Sequence, residues 1–221
     1  MKILVLADSK KAKEFELKFD KTDNVLDFSS TYLSSIKDYN TYDVIFDALF
    51  DEEIEPLENI LNSSFKLLFL NSIKTSLAEI NQFIDLPKEK VLGFNGLTTF
   101  VDRKNWEVTS LDGCTENSKA YLEQLGIEYS VCEDRPGMIG PRVISMIINE
   151  AYYTVMEGTA GKSDIDKAMK LGTNYPFGPF EWCESIGLAD VYELLEALYQ
   201  ETKDERYKIS PLMRSEYLGM S

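Results

Sequence analysis

The pattern of apolar residues changes once along this chain, near Pro136-Gly137, and the change limits the folds available to it. Before this point, short apolar runs alternate with segments in which apolar residues recur at helical spacing. Such alternation favours parallel strands in a doubly wound sheet. After it, only the helical spacing remains. We therefore predict an α/β domain over residues 1–133 and an all-α domain over residues 134–221.

The first domain is predicted to hold seven short strands separated by helices or loops. The strands are expected at residues 2–6, 24–28, 42–46, 65–70, 91–94, 106–110 and 127–132. Helices are expected from Asp8 or Ser9, which can cap the first of them, and at residues 56–61, 76–83 and 116–125. In the second domain, a helix with Pro141 in its first turn should run to about residue 156, and Ser163 and Gly172 should bound the next one.

The charge of the chain excludes several classes of partner. Its 221 residues carry a formal net charge of -15. A negative field of this size repels nucleic acid and anionic membranes, and no apolar stretch reaches the roughly 18 residues that span a bilayer. Cys114, Cys132 and Cys183 are an odd number without metal-ligand spacing, and no secretory leader is recognised. These features predict reduced thiols and a cytoplasmic protein without nucleic-acid or membrane partners.

The second domain carries several landmarks of one family, in order. They are Pro136-Gly137, Asn149-Glu150-Ala151, a segment at residues 166–172, Asn174-Tyr175-Pro176 and Gly178-Pro179. This series resembles the C-terminal domain of 3-hydroxyacyl-CoA dehydrogenases, and the whole chain looks like a shortened member of that family. The resemblance implies a reduced Rossmann-like sheet followed by the family's helical domain. It also implies a homodimer formed through the helical domain, with an acyl-CoA as candidate ligand.

The predicted helix after Pro141 is apolar on most of its surface. Its apolar residues include Met146, Ile147, Ile148, Tyr152, Val155 and Met156. This is more apolar surface than a solvent-facing helix usually carries, which agrees with a dimer interface. The alternative is that all of it packs within one copy of the chain.

The family's cofactor loop is altered in this chain. The family reads Gly-x-Gly-x-x-Gly after its first strand, so that backbone N–H groups reach the pyrophosphate of NAD. The matching positions here begin with Ala7, Asp8 and Ser9, where side chains and a negative charge replace glycine. Only about a dozen residues, 29–40, stand where the family inserts a long helical excursion. We therefore expect no NAD binding of the usual kind, and NAD as cofactor only if the protein is active.

The family's catalytic histidine is absent, as is every other histidine. Family members read Val-Ile-Gly-x-His at the position where this chain has Val91 to Asn95. The resemblance places Asn95 at the catalytic base and Glu107 at the residue that orients it. Histidine can accept a proton near neutral pH and asparagine cannot. A hydrogen bond between Asn95 and Glu107 is the structural role that we expect to remain.

Two further substrate contacts are assigned by the resemblance. The family's polar loop after the fourth strand resembles residues 71–76, and Ser72 is the candidate for its substrate-side hydroxyl, although a turn or helix-capping role is the simpler alternative. The family's asparagine after Pro-Gly is replaced by Pro141. That position is therefore expected to make no substrate contact.

Other chemistries have little support in the sequence. Without histidine, the usual serine and cysteine triads are excluded, and no Gly-x-Ser-x-Gly motif is found. Asp51, Glu52, Glu53 and Glu55 could suggest a cation site, but acidic residues at the start of a helix are better explained by the helix dipole. We predict no metal.

These features predict a 3-hydroxyacyl-CoA dehydrogenase-like protein with little or no dehydrogenase activity, acting as a dimeric binding or regulatory module in acyl-CoA metabolism. Two alternatives stay open. One is an active 3-hydroxyacyl-CoA or 3-hydroxybutyryl-CoA oxidoreductase with altered cofactor binding and another base. The other is a structural partner subunit of a complete dehydrogenase.

Overall fold

The computed structural model describes residues 1–19, 24–50 and 54–219, which form two compact units, Met1–Met138 and Ile139–Ser221. The division falls later than the predicted boundary at residue 133. Residues 134–138 stay with the first unit because the Asp134 carboxylate accepts hydrogen bonds from the N–H groups of Leu77 and Ala78, each at 2.8 Å. The N–H of Gly137 also donates to the carbonyl oxygen of Ile73 at 2.7 Å.

The described residues of the first unit form a seven-stranded sheet. Its strands are β1 (Lys2–Leu6), β2 (Val25–Ser29), β3 (Val44–Asp47), β4 (Leu67–Asn71), β5 (Val91–Phe94), β6 (Asn105–Thr109) and β7 (Glu128–Val131). They lie in the order β2-β1-β3-β4-β5-β6-β7. All neighbours are parallel except β5 and β6. The predicted α/β fold class is confirmed.

The reversal between β5 and β6 has a physical cause in the connection between them. Residues 95–104 form turns and no helix. A parallel connection needs a crossover of a dozen or more residues, usually helical, whereas an antiparallel neighbour can be reached by a short loop. The last two strands are therefore antiparallel to the first five.

Five helices surround the sheet in the described residues of this unit. They are α1 (Ser9–Phe19), α2 (Ile36–Tyr39), α3 (Ile54–Leu61), α4 (Leu77–Ile80) and α5 (Glu116–Gln124). The helix predicted at residues 76–83 is shorter than expected, since α4 ends at Ile80. One core cluster is rich in aromatic rings, with Phe46 stacked on Phe69 at 4.6 Å between ring centroids and Trp106 beside both. These rings fix the sheet whose carboxyl edge carries the candidate site.

The described part of the second unit is helical. It comprises α6 (Gly140–Met156), α7 (Lys162–Thr173), α8 (Pro179–Ile186), α9 (Leu188–Thr202), a short 3-10 helix (Glu205–Tyr207) and α10 (Pro211–Leu218). Pro141 lies in the first turn of α6 as predicted. The predicted bounds of α7 were wrong: it begins at Lys162 after Gly161, and it ends before Asn174, which adopts a left-handed conformation with φ 57°.

Helix α6 organises this unit through its buried side. Ile148 and Tyr152 are buried, and Asn149 is 3% exposed. Asn149 donates to the carbonyl oxygen of Lys208 and accepts from the N–H of Ser210, both at 2.9 Å. This explains an asparagine within an apolar helix, because its amide satisfies two backbone groups that α6 covers. No helix in the described residues is both long and apolar enough to cross a membrane.

Candidate functional site

The strand order reverses direction at β1, because the chain passes from β1 to β2 on one side and then to β3 on the other. In open α/β sheets, ligands bind outside the carboxyl ends of the strands at such a switch point. The residues at this place are Ala7 to Ser9 after β1, and Asp47 and Ala48 at the end of β3. They form the first part of the candidate site.

Asp8 caps the N-terminus of α1 with its own carboxylate. Its Oδ1 accepts hydrogen bonds from the backbone N–H of Lys10 at 2.7 Å and of Lys11 at 3.0 Å. Ala7 is buried and Ser9, the first residue of α1, is exposed. The first N–H groups of a helix have no partner within the helix and are the groups that bind anions. Here a carboxylate of the chain itself occupies two of them.

The Lys11 side chain reaches from α1 to the backbone just after β3. Its ammonium donates to the carbonyl oxygen of Ala48 at 2.9 Å and lies 4.0 Å from Oδ2 of Asp8. Only 12% of the Lys11 side chain is exposed. The switch point therefore holds a cation that belongs to the protein.

Asp47 is a fully buried carboxyl group beside this lysine. Its Oδ1 accepts hydrogen bonds from the Tyr32 hydroxyl at 3.2 Å and from the N–H groups of Leu49 and Phe50 at 3.2 and 3.0 Å. Oδ2 has no hydrogen-bond partner within the described part of the chain. Burial raises the pKa of Asp47 to about 7, although these hydrogen bonds and the Lys11 charge oppose the increase. The group thus titrates near neutral pH.

Asp47 is not among the site residues that the sequence predicts. Perturbed carboxyl groups in clefts are candidates for functional residues, but burial is not visible in a sequence. The available signal was an acidic residue at the end of an apolar strand next to the predicted switch point.

The end of β2 differs from the usual dinucleotide-binding arrangement, in which an acidic residue about 20 positions after the glycine-rich turn binds the ribose. Asp27 stands at about that spacing, but it pairs with Leu4 within the sheet. Its carboxylate accepts from the Tyr42 hydroxyl at 3.0 Å and lies 3.3 Å from the Lys2 ammonium. The last residue of β2 is Ser29, whose hydroxyl donates to the carbonyl oxygen of Thr31 at 2.6 Å.

The second part of the candidate site follows β5. Asn95 is 6% exposed, and its Oδ1 accepts the N–H of Leu97 at 3.2 Å. Phe94 pairs with Val108 across the antiparallel β5 and β6, so the next position along this register is that of Asn95 and Glu107. The structure therefore brings these two predicted residues into one neighbourhood. The hydrogen bond between their side chains stays a prediction.

Ser72 is enclosed against β5. It is 1% exposed, and its Oγ has no hydrogen-bond partner among the residues that the structure describes. A Cβ placed on Gly93 would lie 2.2 Å from this Oγ, so the glycine provides the space that the serine occupies. The role of Ser72 toward a substrate stays a prediction. The neighbouring Ser76 caps α4 in a capping box with Glu79.

The remaining predicted positions contribute little chemistry. Pro141 is buried in the second unit and offers no side-chain hydrogen-bonding group. Of the acidic cluster that begins at Asp51, residues 51–53 lie outside the described residues. Across residues 1–19, 24–50 and 54–219, no group of three or more acidic, cysteine or histidine side chains is placed to hold a metal.

Comparison with known proteins agrees with this architecture. The model of the "3-hydroxyacyl-CoA dehydrogenase, C-terminal domain" matches residues 137–218. A 3-hydroxybutyryl-CoA dehydrogenase of Clostridioides difficile is 30% identical over 203 residues, which cover 84% of this chain and 68% of the relative. A 3-hydroxyadipyl-CoA dehydrogenase of Escherichia coli K12 is 40% identical over 107 residues, covering 48% of this chain and 22% of the relative.

A solved structure gives the same result at the level of the fold. The crystal structure of (S)-3-hydroxybutyryl-CoA dehydrogenase from Ralstonia eutropha superposes with a TM-score of 0.75 at 18% identity, covering 99% of this chain and 94% of that chain. At this identity the likeness shows the fold alone.

The fold and the edge that carries the candidate site define a Rossmann-type α/β protein with a helical C-terminal unit. The chain belongs to the 3-hydroxyacyl-CoA dehydrogenase family, which confirms the resemblance found in its sequence. Three curated relatives that match at 38–41% identity are covered over only 22–35% of their own length.

Proposed function

We propose that this chain is a family member with little or no dehydrogenase activity that acts as a dimeric binding or regulatory module in acyl-CoA metabolism. The observation that carries the proposal is the carboxylate of Asp8 on the N–H groups of Lys10 and Lys11. A cytoplasmic location is part of the proposal and agrees with free Cys114, Cys132 and Cys183.

The residues at the switch point do not fit the pyrophosphate of NAD. A phosphate at the start of α1 would have to displace the Asp8 carboxylate, which makes two hydrogen bonds there and repels a second anion. Lys11 is the nearby cation, but its ammonium is already bound to Ala48. These residues therefore support no reaction step through this cofactor.

The proton acceptor of the family reaction is also missing. Asn95 has no basic side chain, and loss of a general base costs on the order of 10²- to 10⁴-fold in rate. The active-oxidoreductase alternative requires another base, for which Glu107 is the nearest carboxylate in the strand register. Two independent defects, in cofactor binding and in proton transfer, favour the inactive protein.

A CoA thioester is the ligand class that we propose for the module. Several relatives are named for action on 3-hydroxyacyl-CoA, 3-hydroxybutyryl-CoA or 3-hydroxyadipyl-CoA. The Ser72 hydroxyl beside Gly93 is a buried polar group without a hydrogen-bond partner among the described residues, and a bound carbonyl or water would satisfy it. A binding role needs neither the base nor the dinucleotide.

The proposal is tested by binding and turnover measured on the same samples. We expect no NADH oxidation with acetoacetyl-CoA, no heat of NADH binding by calorimetry, and an increase in melting temperature with acetoacetyl-CoA. The variant Asp8→Gly frees the two N–H groups and should gain measurable NADH binding. Ser9→Gly, which alters the same turn without removing the cap, should not.

Each contrary result selects another function. Tight NADH binding and turnover by the natural sequence, with the turnover lost in Glu107→Ala, would establish the oxidoreductase. No response to either NADH or CoA esters would support the structural partner of a complete dehydrogenase.

A further inference from the structure

The β5–β6 loop, residues 95–104, has no helix or strand of its own, yet much of it is buried. Leu97, Phe100 and Val101 are at most 4% exposed. A buried segment without secondary structure must satisfy its backbone N–H and carbonyl groups through other parts of the chain. The partners of this loop therefore show what determines its conformation.

Helix α1 supplies several of these partners from one of its sides. One oxygen of the Glu14 carboxylate accepts the N–H of Thr99 at 2.6 Å, and the other accepts the N–H of Val101 at 3.2 Å. Four residues later, the Lys18 ammonium donates to the carbonyl oxygen of Lys104 at 3.1 Å. Hydrogen bonds to ionised groups are the stronger kind, so α1 holds the loop at its middle and at its end.

Thr99 has an unfavourable backbone conformation within this loop. Its φ is 75°, in the left-handed region that β-branched residues rarely adopt. Its hydroxyl is also buried without a hydrogen-bond partner among the residues that the structure describes. Strain of this kind persists only where the surroundings enforce it, and it is concentrated at functional sites and switch regions. The Glu14 carboxylate, which holds the N–H of Thr99 and that of the second residue after it, is placed to enforce it.

The beginning of the same loop lies at the candidate site. The side-chain oxygen of Asn71 accepts the N–H of Gly96, the residue after Asn95, at 3.0 Å. A Cβ on Gly96 would lie 3.0 Å from the Asn71 side chain, so the loop backbone approaches the end of β4 closely. Ser72, the buried hydroxyl that we assign to the ligand, follows directly in the chain. The conformation of the loop therefore affects the position of Asn95 beside this hydroxyl.

We propose that Glu14 is a positioning residue of the candidate site, which acts by holding the β5–β6 loop in its strained conformation. The two bonds of its carboxylate keep Asn95 and Gly96 against the end of β4. The inference rests on the proposed binding of a CoA thioester beside Ser72. Helix α1, whose start is closed by Asp8, thus also supports the second part of the site.

Trp106 provides a spectroscopic signal for the state of the loop. Its Nε1 donates to the carbonyl oxygen of Val101 at 2.8 Å, and the residue is 3% exposed. The other tryptophan, Trp182, lies in the second unit, so Trp182→Phe leaves a single probe. In this background Glu14→Gln should raise the acrylamide quenching constant at least about twofold, because the amide offers one oxygen and turns an NH₂ group toward the second N–H. Glu16→Gln removes the same charge at an exposed position of α1 and should leave quenching unchanged.

The strain at Thr99 is tested by a double-mutant cycle on thermal stability. Thr99→Gly removes the side chain that disfavours a left-handed backbone, and it should raise the melting temperature by about 2–4 °C while Glu14 is present. In the Glu14→Gln background the loop is free to leave this conformation, so the same substitution should have little effect. If Glu14 only adds stability, Thr99→Gly should shift the melting temperature equally in both backgrounds.

Calorimetry with acetoacetyl-CoA tests the consequence for the site. Glu14→Gln should raise the dissociation constant about tenfold, whereas Glu16→Gln should bind like the natural protein. Equal quenching in these two variants, equal effects of Thr99→Gly in both backgrounds, or unchanged ester affinity in Glu14→Gln would each overturn the positioning role. If the natural protein binds no CoA ester, the proposed function fails, while quenching and the thermal cycle still decide whether Glu14 holds the loop.

Discussion

Asp47 shows at the scale of one residue how a buried group makes stability depend on pH. In the folded chain its pKa is raised from 3.8 to about 7, chiefly by burial. A carboxyl group with a raised folded pKa prefers to be protonated in the native state. Its ionisation therefore reduces the free energy of unfolding progressively as the pH rises from about 4 to 7, and the full cost is present above pH 7.

We expect Asp47→Asn to stabilise the protein at pH 8 and to have little effect near pH 4. The amide is uncharged, and its oxygen can still accept the hydrogen bonds of Leu49 and Phe50. One pKa unit corresponds to about 1.4 kcal/mol, so the gain at pH 8 is on the order of 2–4 kcal/mol. Urea unfolding at a series of pH values measures it.

Asp43 provides a control, because we expect its substitution by asparagine to change stability in the opposite direction. Hydrogen bonds from the Lys66 ammonium and from the N–H of Lys2 hold the pKa of Asp43 below its ordinary value. Its ionised form therefore stabilises the fold above the unfolded-state pKa, and this contribution is lost as the pH falls. Asp43→Asn should destabilise at neutral pH and converge on the natural protein in acid. If Asp47→Asn also destabilises the protein at pH 8, the assignment for Asp47 is wrong.

Some contacts of single residues could be predicted from the sequence and others could not. Asn95 and Glu107 could be predicted as neighbours because motif residues keep their order along the chain, and the register of β5 and β6 agrees with that prediction. The Lys11 contact with Ala48 spans 37 positions and depends on the direction of a flexible side chain. Nothing in the spacing of residues predicts such a contact.

At the scale of elements, α7 and α8 are joined by a cap that crosses from one helix to the other. Oδ1 of Asp166 in α7 accepts the N–H of Phe180 in the first turn of α8 at 2.8 Å. A Cβ on Gly178 would lie 2.3 Å from that same oxygen. Because Gly178 has φ -75°, which any residue can adopt, its requirement is steric, and the three atoms nearest to the added Cβ all belong to Asp166.

A double-mutant cycle should show this dependence. Asp166→Gly removes both the cap and the Cβ that would lie 2.4 Å from a Cβ at position 178. It should cost about 0.5–2 kcal/mol for the cap and about 1 kcal/mol more for a glycine within α7. Gly178→Ala should also destabilise the natural background, since the new methyl group meets the buried Asp166 side chain. In the Asp166→Gly background the same change should cost much less, so the two effects are not additive. Additive costs in urea unfolding would mean that Gly178 is needed for another reason.

The helix ends explain why element boundaries were only partly predictable. Ser163 and Gly172 are residue types that favour caps, yet α7 starts one residue before the serine and continues past the glycine to Thr173. The left-handed Asn174 ends the helix instead. Asparagine tolerates this conformation better than most residues, and the choice between it and a nearby glycine is made by packing.

At the scale of the whole molecule, the fold class followed from the sequence because two different periodicities fill two different parts of the chain. The antiparallel direction of β6 and β7 did not follow from the sequence, since strand direction depends on whether a connection contains a crossover helix. The sequence also did not show that residues 134–138 belong to the first unit, because Asp134 and Gly137 are held by hydrogen bonds to residues 73–78, far from them in sequence. Local patterns cannot show such long-range bonds.

We propose that the candidate site lacks a proton acceptor after β5 and free N–H groups at the start of α1. These positions follow different strands, so each can be restored separately by mutation. Asn95→His supplies a base after β5, and Asp8→Gly frees the start of α1. If both are needed for turnover, Asn95→His alone should leave NADH oxidation with acetoacetyl-CoA at the background level. A general base raises the reaction rate on the order of 10²- to 10⁴-fold, but only where the cofactor is bound. The double variant should therefore exceed both single variants.

Asn95→Gln serves as the matched control, because it fills the same buried position without a basic nitrogen, and circular dichroism checks that each variant folds. NADH titration of the single variants separates binding from chemistry. A rate increase in Asn95→His without Asp8→Gly would mean that the dinucleotide already binds beside the Asp8 cap. The chain would then lack its proton acceptor alone, and the switch point closed by Asp8 and Lys11 would have to open when the cofactor arrives.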